Sequence, residues 1–173
     1  MLSRCLPVLS ALLTVTAHAA PSCELEGLTN VPADDVQCYF YRGTGAYRAE
    51  NYKLAAANWK SLIALKSVPV EHQHLKVDAY NNLGFLYFYG DGVKQDKKTA
   101  IEYWNYAYGA GNEESGYHLC HAYGKASEPM YNPKLALSYC KDSLRRYEAL
   151  KDEEHEQDEI IRQLRSYIAQ LDK

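Results

Sequence analysis

Shifting the sequence by 36 residues lays Leu83 on Leu119, Tyr87 on Tyr123, Asp96 on Asn132, Ala100 on Ala136 and Tyr103 on Tyr139. So many like residues at one ungapped offset mark an internal repeat. A unit of this length cannot bury an apolar face alone and must stack on its neighbours. The spacing inside each unit is helical. Leu83, Leu86 and Tyr87 form one stripe, and Ala100, Tyr103, Trp104 and Ala107 form the next, at the i, i+3, i+4 positions of amphipathic helices. Breakers stand where hairpins must turn: Gly90-Asp91-Gly92, Gly109 to Asn112, and Glu128-Pro129 with Asn132-Pro133. Asp96 and Asn132 are placed to cap the helices that follow them. No segment alternates as a strand does, so the expected fold is all-α.

An earlier unit carries Gly43, Ala55 and Trp59, with intervals of 12 and 4. In the second unit Gly84 to Ala100 is 16, and the extra four residues fall in the turn at Gly90-Asp91-Gly92-Val93. Beyond the repeats, Ile160, Ile161, Leu164, Ile168 and Leu171 share one helix face, as expected of a helix that closes the end of such an array.

The first residues read differently. Arg4 precedes an apolar stretch from Leu6 to Val15, and Ala17-His18-Ala19 follows in A-x-A form. This is the anatomy of a secretory signal peptide over residues 1–19. The alternative, a retained anchor, needs about 20 apolar residues to cross a bilayer, and the run is half that. The expected product is a soluble periplasmic or secreted protein with no membrane span. Cleavage takes the formal net charge from −3 to −4, and without a basic stripe or tail nothing points to nucleic acid. Four cysteines then remain: Cys23, Cys38, Cys120 and Cys140. In an oxidising compartment four cysteines make two disulfides, in any of three pairings.

The run from Ala79 to Asp96, AYNNLGFLYFYGDGVKQD, followed by Ala100, Tyr103-Trp104, Ala107 and Ala110-Gly111, resembles a Sel-1-like repeat, a tetratricopeptide relative with a G-x-G-V turn. The first unit looks more like a plain tetratricopeptide repeat. The third is degenerate, with Cys120 in place of the glycine. The resemblance implies an α-α superhelix, a short solenoid of helix-turn-helix units. Residues 20–35 would be an extension and 36–173 the repeat domain, with units near 36–74, 75–114 and 115–150 and a capping helix over 155–172. In such a hairpin Cys120 and Cys140 face each other at disulfide range, an arrangement found in some secreted members, which leaves Cys23 to pair with Cys38.

The family's groove positions carry over to Gln37, Phe40, Thr44 and Tyr47, then Asp78, Asn81, Phe85 and Phe88, then Glu114, Tyr117, His121 and Gly124. Rings mixed with amides and carboxylates can hold a peptide by its backbone while the rings supply apolar contact. Alternatively, some of these aromatics are core residues of a tightly wound array. The expectation is a non-catalytic adaptor or regulator in the envelope that binds a protein or peptide partner. The alternatives are an immunity protein neutralising a secreted toxin, or a weak β-lactam-binding or hydrolysing protein.

Other candidates for chemistry have simpler explanations. His72 and His74 lack further metal ligands in the sequence. His118 and His121 share a helix face with Glu114, which would make a weak divalent site, but they read more simply as groove residues. Ser115, Ser127 and Ser143 lack a nucleophile elbow. The Gly90-Asp91-Gly92 turn is no phosphate loop, having no strand before it. The acidic stretch Lys151 to Glu159 reads as a solvated helix entry. No cofactor and no metal are expected.

Overall fold

The apolar stripes and the breakers between them resolve into seven α-helices in a computed structural model that describes residues 36–150 and 157–172. They are α1 (Val36–Arg48), α2 (Tyr52–Ala64), α3 (Gln73–Tyr89), α4 (Lys97–Gly109), α5 (Glu113–Gly124), α6 (Pro133–Leu150) and α7 (Asp158–Leu171). A single 3-10 turn, Val70–His72, leads into α3. Among the described residues there is no strand and no helix long and apolar enough to cross a membrane. Helices pair as α1/α2, α3/α4 and α5/α6, each pair stacks on the next, and α7 packs on α6. This is the expected all-α repeat superhelix. The expected signal peptide, the extension and Cys23 lie outside the described residues, as does most of the acidic stretch.

What holds each hairpin together recurs at one register. In the first two, a glycine on the leading helix lets a tryptophan of the returning helix lie against its backbone. A Cβ on Gly43 would stand 2.4 Å from Trp59 Nε1, and one on Gly84 2.5 Å from Trp104 Nε1. Each indole N–H donates to a carbonyl three residues before its glycine: Trp59 to Phe40 O at 3.3 Å and Trp104 to Asn81 O at 3.1 Å. The third hairpin replaces this pair with the Cys120–Cys140 disulfide, whose Cα atoms are 4.9 Å apart. Both sulfurs belong to fully buried residues packed with Tyr147, Ile161 and Leu164. A disulfide closing a loop of this length is worth about 3 kcal/mol in the chain-entropy account.

The turns repeat too. The Asp96 backbone N–H donates to Tyr87 O at 2.9 Å, and 36 residues on, Asn132 N–H donates to Tyr123 O at 2.8 Å. Asp96 caps α4 by accepting from Thr99 N at 3.1 Å, and Asn132 caps α6 by accepting from Leu135 N at 3.1 Å. Asn51 and Asn112 cap α2 and α5 in the same way. Gly90 and Gly92 take left-handed φ of 84° and 66°. At Gly92 a side chain is also excluded by contact, since its Cβ would meet the Tyr52 carbonyl carbon at 2.3 Å. The lengthened turn therefore packs on the start of α2, in the preceding unit.

Candidate partner-binding groove

The odd-numbered helices supply one face of the stack, and two adjoining cavities open along it. The larger, about 580 Å³, is walled by α3, α5, α7 and the turns beside α4 and α5. The smaller, about 240 Å³, lies between α1, α3 and the first turn of α5. Phe85 and His118 line both, with ring centroids 5.9 Å apart, and form the ridge between them. Sites of this size suit a few side chains of a peptide.

The positions carried over from the repeat family divide into three groups. Thr44, Tyr47, Phe85, Glu114, Tyr117 and His121 line the cavities and are not fully buried. Phe40, Asp78, Gln37 and Gly124 stand away from them. Phe40 packs on the first core cluster. Asp78 accepts from Asn112 Nδ2 at 3.0 Å, and burial pushes its carboxyl above the usual range. Gln37 is exposed on α1, and Gly124 faces the Tyr167 ring. The third group is structural. Phe88 is 9% exposed and packs on Trp104 at 5.2 Å as cavity floor.

Asn81 belongs with that third group. Only 2% exposed, it donates Nδ2 to Glu114 Oε2 at 2.8 Å, and its Oδ1 lies 2.7 Å from Ser115 Oγ. Ser115 Oγ is also 2.8 Å from Asn112 Oδ1 and shares its single proton between the two amides. Both polar atoms of the Asn81 side chain are thus engaged within the stack. It joins α3 to the start of α5 while lining the smaller cavity.

Two further features were not read from the sequence. Tyr89, one turn beyond Phe85, is 57% exposed and rims the larger cavity. Its i+4 spacing from Phe85 was an available signal. The end wall comes from α7: Tyr167 packs on His121 at 4.1 Å, and Tyr117 Oη donates to Gln163 Oε1 at 2.6 Å. No repeat relation announces residues on a cap.

The electrostatics differ between the basins. At the rim of the larger, Lys97 and Lys125 flank the buried Glu128 carboxylate at 2.5 and 3.8 Å. His121 is held between Tyr117 and Tyr167 with Nε2 buried and unpaired. Burial, and then the neighbouring His118, lower its pKa from 6.5 to about 4, so the ring is neutral near pH 7. In the smaller basin Glu114 is the one carboxylate. His118 Nε2 sits 3.7 Å from Glu114 Oε1. The nearby His118 ring is the main reason the Glu114 carboxyl lies below its ordinary range, against the opposing effect of burial.

Among the described residues, none of the three serines singled out in the sequence is hydrogen-bonded to a base. Ser115 is committed to the amides, Ser143 donates to Glu113 O at 3.2 Å, and Ser127 is exposed. Among the described residues no group of three His, Cys, Asp or Glu is placed to hold a metal ion. Residues 77–112, which run from within α3 through α4 to the turn before α5, match the Sel1 repeat. No curated protein and no solved structure matches the chain.

Proposed function

From a chain that carries a Sel1 repeat, a unit generally used as a protein-interaction module, we propose a non-catalytic binding protein of the cell envelope that holds a partner protein or peptide in this groove. The observation that carries the reading is the row of incompletely buried rings, Tyr47, Phe85, Tyr89, Tyr117 and Tyr167, along one face of a rigid stack. Large rings give contact area at low entropic cost and dominate binding energy where they cluster. Export is part of the proposal. It is supported by the signal-like first nineteen residues and is consistent with the Cys120–Cys140 disulfide.

A photo-crosslinking residue placed at Tyr89, and separately at Tyr106, tests the groove in the native host. Tyr106 is 50% exposed but lies outside both cavities. The expected result is a discrete crosslinked protein from position 89 alone, on a chain that begins near Ala20. The same adduct from both positions, or from 106 only, would overturn the groove. An intact Met1 terminus would overturn export.

A further inference from the structure

The smaller basin differs from the larger in what it can recognise. Its wall on the α1 side is the Tyr47 ring, which meets Phe85 edge-on at 6.4 Å. On the far side Phe85 and His118 form the ridge. The Glu114 carboxylate lines the same cavity; its side chain is 53% exposed, with Oε2 accepting from Asn81 Nδ2 and Oε1 3.7 Å from His118 Nε2. Aromatic faces carry negative electrostatic potential, and a cation over them is attracted most strongly where water is partly excluded. A carboxylate at the end of such a cage adds a charged hydrogen-bond acceptor that suits a guanidinium or ammonium group. Burial above all holds the Tyr47 hydroxyl proton, and Tyr52, Asp91 and Glu114 add to it.

We propose that the Tyr47–Phe85–Glu114 basin is a subsite for a basic side chain, arginine or lysine, presented by the partner peptide that the groove holds. The inference rests on the groove reading and adds to it the charge of the residue that enters the smaller cavity. The larger basin, whose two lysines bracket Glu128, then takes the flanking, uncharged part of the peptide. Glu114 thereby serves two purposes: it fixes the start of α5 through Asn81 at Oε2, and its exposed side, with Oε1 beside His118, reads the cation.

The test needs no identified partner. The full mature chain, labelled with ¹⁵N, is titrated at low ionic strength with the blocked peptide acetyl-Gly-Arg-Gly-amide. A second titration uses its citrulline counterpart, which has nearly the same shape and no charge. The expected result is saturable amide shifts at Tyr47, Phe85 and Glu114 with the arginine peptide, and affinity at least tenfold weaker with citrulline. Glu114→Gln keeps an oxygen for Asn81 Nδ2 while removing the charge, and should bring the arginine peptide down to the citrulline level. Equal responses to the two peptides, or no saturable shift at these residues up to the solubility limit, would overturn the subsite. Shifts confined to Tyr89, Tyr117 and Tyr167 would also overturn it, yet would leave the groove as the partner face.

Discussion

At the scale of single residues, Gly84 and His121 show how closely this chain is fitted. A side chain at Gly84 must displace the Trp104 indole, which is itself anchored to Asn81 O. Gly84→Leu should therefore lower stability by about 1–3 kcal/mol or more, read as a fall in the thermal midpoint; an unchanged midpoint would mean the helix-crossing register is misassigned. His121 makes a pH prediction. The folded chain keeps the ring unprotonated down to about pH 4, while the unfolded chain takes the proton near 6.5. Stability should fall as pH drops through that window, by roughly 2 kcal/mol after allowing for the ring's partial exposure. His121→Leu should flatten this slope in denaturant titrations at pH 6.5 and 4.5. Asn81→Ala should also destabilise, by about 1–3 kcal/mol, since it leaves polar partners in α5 unpaired. Asn81 is the residue whose surroundings were least legible in the sequence. Its position in the repeat suggests a groove residue, but its partners lie more than thirty residues on, and no local pattern shows an amide turning inward. Gly84 was legible because glycine and tryptophan recur at matched places in two units.

Elements make the same distinction between what a sequence signals and what only packing decides. The caps at Asp96 and Asn132 were readable because a short polar side chain before a helical stripe has few other uses. The G-x-G-V turn was readable as a turn, but its seating on α2 was not. That seating gives a matched pair of substitutions. Gly92→Ala places a Cβ at left-handed φ and against the Tyr52 backbone, so it should cost more than about 2 kcal/mol. Gly109→Ala, at a glycine with open space around it, should stay within about 1 kcal/mol of the parent. Chemical denaturation of the two variants checks this, and equal losses would contradict the turn's packing. The third hairpin extends the lesson. Cys120 and Cys140 occupy the places of Gly84 and Trp104, so a covalent bond replaces a packed indole at one register, and the unit keeps its turn bond from Asn132 to Tyr123 after losing the glycines.

At the scale of the whole molecule, the second and third hairpins are tied lengthwise by polar bonds that follow the repeat. Asp78 meets Asn112, Asn81 meets Glu114, Asn105 meets Tyr139, and Tyr108 meets Asp142. Each spans 33 or 34 residues, so the α3/α4 hairpin is held to α5/α6 by side chains on both its helices. The Tyr108 and Arg145 hydrogen bonds hold the Asp142 carboxyl down near 2, which keeps that tie charged across the working pH range. The α7 helix packs on α6 and brings Tyr167 to the wall of the larger cavity, so it would also bound the proposed binding face. A preformed face of this kind would bind with little rearrangement. One affinity decides whether this face holds the partner. Binding of the crosslinked partner, measured by titration calorimetry, should weaken at least tenfold, about 1.4 kcal/mol, in Tyr89→Ala and stay unchanged in Tyr106→Ala, with both variants melting as the parent does. Full affinity in Tyr89→Ala together with a loss in Tyr106→Ala would place the partner on the opposite face and contradict the account.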